Sequence, residues 1–473
     1  MARNIQLMSP PMVRKFPTLL LLVILAQSPM AEAQVALPSI RLPNLPGLPL
    51  NGDRTLSGLS NDLDPHRLED LRRLHVLDLI RKNSKEIEAD PNGAPILRGE
   101  VVAFSPSDAA LERARAAGFA VLRERVLEGL DVRLVVLKAP DGTATRRALR
   151  QLKGLDPEGV YDFNHLYTDS GEVLGSGASD RASGLLGAVK SRGADADLRL
   201  ALGANASDGV SARDAGAGTK VGLIDGGLDA SHDVFRDIVI HQHGCSGALV
   251  PAAHGTAVAS LMIGRSPRFH GAAPGSELYA ADVYCGLPTG GAVDAVADAF
   301  AWLVREHVPV INVSLVGPPN VMLENIVRMV IARGHVVVAA VGNDGPAAPP
   351  LYPASYPDVV GVTAVDAHQR VLLEACRGKQ VKFAAPGADM SAASPAQSYV
   401  MVRGTSFASP IVAGLLAEAV GGELDKAVAQ RAIADLATHA IDLGAPGPDP
   451  VYGFGLVGGD LRPEIALVGS RSN

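Results

Sequence analysis

Residues 220–225 read KVGLID, a short apolar run that ends on an acid and is followed at once by Gly226 and Gly227. A continuous apolar run of this length predicts a strand covered on both faces. The same kind of run recurs downstream as LYAADVY (278–284), VPVINVSL (308–315), HVVVAAVGN (335–343) and VVGVTAVD (359–366). Between several of them lie stretches that read as helices, at 255–264, 292–306 and 321–333. Apolar strands alternating with helices predict an α/β fold, a mostly parallel sheet with helices on both faces. Functional groups are then expected in loops and helix starts beyond the carboxyl ends of the strands.

Upstream, the pattern is different. GEVVAF (99–104) reads as a strand, and Ser107 with Asp108 caps a helix running to Ala116. AVLRERVLEGLDVRLVVLKA (120–139) reads as two strands joined at Glu128-Gly129; Thr143 to Lys153 reads as a helix and GVYDFNHLYT (159–168) as a last strand. The order βαββαβ predicts a small ferredoxin-like α+β domain over 95–170. Residues 34–94 read as a linker followed by a helical segment over 64–88, with Leu68, Leu71, Leu74, Leu77 and Leu79 near helical spacing. Residues 171–215, rich in Gly, Ala, Ser and Asp, read as a second linker open to proteolysis, and 216–473 as the large α/β domain.

At the N-terminus Arg14 and Lys15 precede the apolar run Leu19 to Ala26, and Ala31-Glu32-Ala33 offers small residues for a signal peptidase. The run is shorter than the ~20 residues that span a bilayer. Residues 1–33 are therefore expected to be a cleaved signal peptide, with an N-terminal membrane anchor as the alternative. With such cleavage the chain is expected to be periplasmic or secreted, with no stable membrane insertion afterwards. Hydrophobic residues make up 47% of the 473, enough for a large core, and the formal charge of −7 gives no electrostatic ground for a nucleic-acid partner. The cysteines are Cys245, Cys285 and Cys376. An exported chain permits a disulfide, and an odd count leaves one thiol over. Cys245 and Cys285 both fall near the active edge of the sheet and are the expected pair, with two buried thiols as the alternative. No CxxC is present, so no zinc site is expected.

Four polar residues punctuate the large domain. Asp225 ends the first strand, His254 opens a helix in HGTAVAS (254–260), Ser406 opens another in GTSFASPIVAG (404–414), and Asn343 follows a strand in AAVGND (339–344). Alone, each has a plainer reading: a turn acid, a solvated histidine, a helix cap, a turn asparagine. Together they stand at strand-to-helix boundaries of one sheet, in the order Asp, His, Ser. That order is one of three known for the serine triad, and the absence of GxSxG argues against the α/β-hydrolase elbow.

Residues 220–414 resemble the catalytic core of the subtilase family of serine proteases. VGLIDGG is similar to the family's aspartate motif, HGTAVAS to its histidine motif, and GTSFASPIVAG to its serine motif, which usually reads GTSMAxPxVAG. VVVAAVGNDG is similar to the segment carrying the oxyanion asparagine, and the likeness extends over roughly 195–460. The resemblance implies a subtilisin-like endopeptidase acting on protein or peptide substrates. In it Asp225, His254 and Ser406 are catalytic, Asn343 serves the oxyanion hole, and Gly290, Gly291, Ser314, Leu315 and Val316 form the strand edges that hold substrate. It implies that 95–170 is a propeptide that blocks the cleft in cis, against the alternative of an unrelated accessory domain. Departures are Gly226 for the usual Thr, Ala257 for a second His, and Val316 where Gly is common beside the specificity pocket. Residues 264–277, where many relatives carry a calcium loop, offer only the carboxylate of Glu277, so neither metal nor other cofactor is expected. A catalytically dead binding module, or a peptide ligase or esterase sharing the acyl-enzyme, stays open on sequence.

Overall fold

The computed structural model describes residues 65–169, 171–174 and 218–463. The expected signal peptide and most of both linkers lie outside the described residues. Among the described residues no helix is long and apolar enough to cross a membrane.

Helix α1 (Pro65–Lys82) ends on Arg81 and Lys82, cations suited to a helix C-terminus. It stops short of the expected residue 88. The Asn83 amide donates to the Leu79 carbonyl, and Ile87–Ala89 (β1) instead pairs antiparallel with residues 95–97. The cause is the Pro91-Asn92-Gly93 turn, where the Asp90 carboxylate accepts the N–H groups of Asn92 and Ala94. Of the expected leucine stripe, Leu74 and Leu77 are 51% and 49% exposed, while Leu79 packs against the cluster of Ile87, Leu166 and Ala292.

The small domain follows the expected order: β2 (Pro95–Phe104), α2 (Asp108–Ala116), β3 (Ala120–Leu127), β4 (Val132–Lys138), α3 (Thr145–Leu155) and β5 (Val160–His165). Ser107 caps α2 by accepting the Ala110 N–H. The antiparallel sheet runs β3–β4–β2–β5, with β1 beside the start of β2. One face buries Val101, Ala103, Val135 and Leu137 against Leu111, Ala114, Leu149 and Leu152 of the two helices. The other face, through Val102, Leu134 and Val136, packs into a core of the large domain. Alternate residues of one strand thus serve two cores, as the strand period of two requires.

After β6 (Thr168–Asp169) and β7 (Gly171–Leu174), the large domain begins with β8 (Lys220–Asp225). It continues through β9 (Ile240–Gly244), α4 (Ala253–Ile263), β10 (Glu277–Asp282), α5 (Val293–Arg305), β11 (Val310–Val313), β12 (Leu315–Val316) and α6 (Val321–Ala332). It ends with β13 (Val336–Ala340), β14 (Val360–Val365), β15 (Val381–Pro386), β16 (Met390–Ser394), β17 (Ser398–Gly404), α7 (Thr405–Val420) and α8 (Lys426–His439). Seven parallel strands form one sheet in the order β15–β14–β13–β11–β8–β10–β9. Leu223 joins the core beneath α4 and α7, while its neighbour Ile224 joins the one beneath α5 and α6. Each fully buried side chain of this size contributes about 1.5–3 kcal/mol, which is why these strands carry no polar alternation. Strand β9 escaped sequence reading because it is an edge: His241-Gln242-His243 is partly exposed.

Candidate active site

Asp225, His254, Asn343 and Ser406 all lie at the carboxyl edge of the seven-stranded sheet. Asp225 is the last residue of β8 and is fully buried. His254 is the second residue of α4. That helix can approach β8 closely because of Gly255: a Cβ there would stand 2.3 Å from the Gly226 carbonyl oxygen and 2.6 Å from that of Gly227. Glycine at 255 therefore has a packing cause, and so does Gly227, where a Cβ would stand 2.2 Å from the Val250 carbonyl oxygen.

The His254 Nδ1 lies 2.9 Å from Asp225 Oδ1, which also accepts the Gly226 N–H at 2.6 Å. Asp225 Oδ2 and His254 Nε2 are buried without a hydrogen-bond partner among the described residues. Burial raises the Asp225 carboxyl and the neighbouring imidazole pulls it back. For His254, burial disfavours the cation, but the Asp225 carboxylate outweighs it and Asp169 adds to it, so the imidazole is held up at about 9.

Ser406 is the second residue of α7 and is fully buried; its Oγ donates to the Ser314 carbonyl at 3.3 Å. The Ser314 Oγ in turn meets the Ser406 carbonyl at 3.0 Å, Ser409 Oγ at 3.1 Å and the Asn312 amide at 2.8 Å. This buried network ties the β11–β12 segment to the start of α7. Asn343 follows β13, and its Oδ1 accepts the Thr405 N–H at 3.1 Å. The Thr405 Oγ1 accepts the Gly342 N–H at 3.1 Å. These two bonds fix the asparagine amide against the turn that presents Ser406.

The expected strand edges are both occupied, by the chain itself. Leu166 bridges Ala292, and the Tyr167 N–H donates to the Gly291 carbonyl at 2.8 Å. Gly291 holds φ +74°, and a Cβ there would stand 2.1 Å from the Tyr167 carbonyl oxygen. Gly290 is closed off differently, since a Cβ would meet the Tyr284 backbone. On the other side β6 pairs antiparallel with β12, Asp169 opposite Leu315 and Thr168 opposite Val316. Then β7 pairs antiparallel with β17, Gly171 opposite Gly404 and Glu172 opposite Arg403. Sequence reading missed Tyr167, whose ring lies against Gly317 and whose hydroxyl donates to the Pro318 carbonyl at 2.8 Å. It also missed Phe407, whose ring lies 5.3 Å from that of His254.

Cys245 and Cys285 are joined in a disulfide, and Cys376 is a buried thiol pushed up to about 12 by burial. Among the described residues, the group Cys245, Asp282 and Cys285 has metal-ligand spacing, but the disulfide consumes both of its thiols.

Residues 216–455 match the model of the subtilase family. Subtilisin DY of Bacillus licheniformis is 34% identical over 210 residues, covering 43% of this chain and 76% of that protein. Subtilisin E of Bacillus subtilis is 31% identical over 217 residues, covering 43% of this chain and 55% of that protein. The fold is similar to that of fervidolysin from Fervidobacterium pennivorans, a keratinolytic enzyme related to subtilisin. The TM-score is 0.60 at 20% identity, over 79% of this chain and 62% of that one. With half of its length matching one family, the chain belongs to the subtilase family and is a subtilisin-type serine endopeptidase.

Proposed function

We propose that Asp225, His254 and Ser406 are the catalytic triad, and that the chain is an exported precursor whose residues 95–170 inhibit it in cis. The Ser406 Oγ turns from the Ser314 carbonyl toward His254 Nε2, which takes its proton as Oγ attacks the scissile carbonyl. Asp225 stabilises the imidazolium through Nδ1. The Asn343 amide and the Ser406 N–H receive the oxyanion. The imidazolium then protonates the departing amine, and water, deprotonated by the same nitrogen, releases the acyl group and regenerates the serine. The Nε2, which has no hydrogen-bond partner among the described residues, supports this assignment.

One observation carries the precursor reading. Residues 166–169 pair with both edges of the cleft, and 171–174 pair with β17 directly before Ser406. A segment added as a strand on both sides of the nucleophile has the arrangement of a bound substrate. In this reading Ser314, Leu315 and Val316 face Gly290 and Gly291 across it, the Tyr167 ring fills the pocket over Gly317, and the chain is cut between residues 169 and 171. Val316 narrows the neighbouring pocket and favours small side chains. The Cys245–Cys285 link braces the loop between Asp225 and His254.

The test is casein hydrolysis by the wild type and Ser406→Ala, with N-terminal sequencing of the product. The wild type should be active and begin at residue 170 or 171, while Ser406→Ala stays full-length and inert. Equal activity in both removes the triad assignment. Refolding residues 216–473 with and without 95–170 in trans tests the inhibitor separately: unchanged yield and activity would exclude it.

A further inference from the structure

Gly171 has no room for a side chain. What excludes a side chain is a neighbour: a Cβ at 171 would stand 2.5 Å from Phe407 Cε2, 3.0 Å from Cζ and 3.2 Å from Cδ2. A flexible neighbour could swing aside, but Phe407 cannot do so cheaply. It is fully buried, belongs to the core beneath α4 and α7, and lies against the His254 ring at 5.3 Å. Moving it would open a cavity in that core and disturb the imidazole. The motif around it, GTSFASPIVAG, carries Phe where the family's usual spelling has the unbranched, adaptable Met.

We infer that Phe407 makes this protease selective for glycine at the position Gly171 occupies, on the leaving-group side of the cleft. The inference rests on the reading of residues 166–174 as a bound substrate. Any protein substrate must pass the same ring. A Cβ brings overpacking against a rigid neighbour, and longer side chains bring more of it. The substrate class is thus polypeptide with glycine at that position.

The experiment uses the matured wild-type enzyme and three synthetic peptides with the sequence of residues 164–175, carrying Gly, Ala or Leu at 171. Cleavage is followed by mass spectrometry and kcat/KM. We expect cutting between positions 169 and 171, with Gly preferred over Ala by about tenfold and over Leu by more. Phe407→Met should collapse the Gly-to-Leu ratio to within a fewfold. The ratio is internal to each enzyme sample, so partial misfolding does not imitate it. In the full chain, Gly171→Leu should stall self-cleavage and Phe407→Met in the same chain should restore it. Should the variant fail to fold, the wild-type ratio alone decides. Equal rates on the three peptides, cut at the expected place, overturn the role of Phe407 and leave the substrate-like reading standing. Cutting elsewhere overturns both.

Discussion

His254 Nδ1 and Asp225 Oδ1 lie 2.9 Å apart, both residues buried, while Asp169 of the threaded segment adds negative charge near the same imidazole. A base must be neutral to accept a proton, and this one is held up at about 9. Self-processing should therefore accelerate as pH rises toward 9, and Asp169→Asn should shift that midpoint downward. The stability sign is the opposite. A raised imidazole contributes stability that is complete below its ordinary value of about 6.5 and is lost as pH rises through about 9. Processing rates from pH 6 to 10 check the first statement. A midpoint indifferent to Asp169→Asn contradicts the role given to that carboxylate.

Asn343→Ala should lower kcat about 10²–10³-fold with little change in KM, a magnitude known from subtilisin itself. The Oδ1 bond to the Thr405 N–H orients the amide in advance, so the loss falls on the transition state. Steady-state kinetics on a peptide anilide decide: a rise in KM alone would assign Asn343 to ground-state binding.

The small domain docks through charge as well as through its apolar face. Arg123 reaches Asp294 at 3.0 Å and Glu100 at 2.6 Å, and the Asn164 amide donates to Asp294 at 3.0 Å. Asp294 is largely buried. Removing Arg123 leaves that carboxylate short of its cation, so Arg123→Ala in the small domain should weaken inhibition of the matured enzyme by about tenfold. Arg123 is partly exposed, which keeps the expected loss at the lower end. Inhibition constants measured with the two forms of the separate domain test this, and identical constants defeat it.

The link between Cys245 and Cys285 closes a loop across 40 positions. Chain entropy sets its contribution at about 4 kcal/mol, so Cys285→Ser should lower the melting temperature by several degrees. Peptide mapping without reductant should recover the two cysteines in one fragment. Two unlinked thiols, or an unchanged melting temperature, would count against it.

Much of this was legible in sequence because its causes are local. Strand β8 needs apolar residues on both faces, and it shows them. The glycines at 227 and 255 sit beside Asp225 and His254, where the backbones come close. What stayed hidden depends on distant partners. The two-residue β6 has no pattern of its own and takes its register from Leu315 and Val316. Strand β9 is polar because it is an edge. The requirement at Gly171 is written in Phe407, far along the chain. The α1 segment misled for a related reason: its leucines have helical spacing, yet Leu74 and Leu77 meet solvent and the chain turns at Asn83 to form β1.

Strands β6 and β7 are each held by a strand of the large domain rather than by one another. If the join between them is severed, every one of those ladder hydrogen bonds can persist on both new ends. Cutting and unblocking are then separate events with separate clocks. A newly cut molecule would still carry its own two products, and the delay before it attacks anything else would be set by how fast they leave.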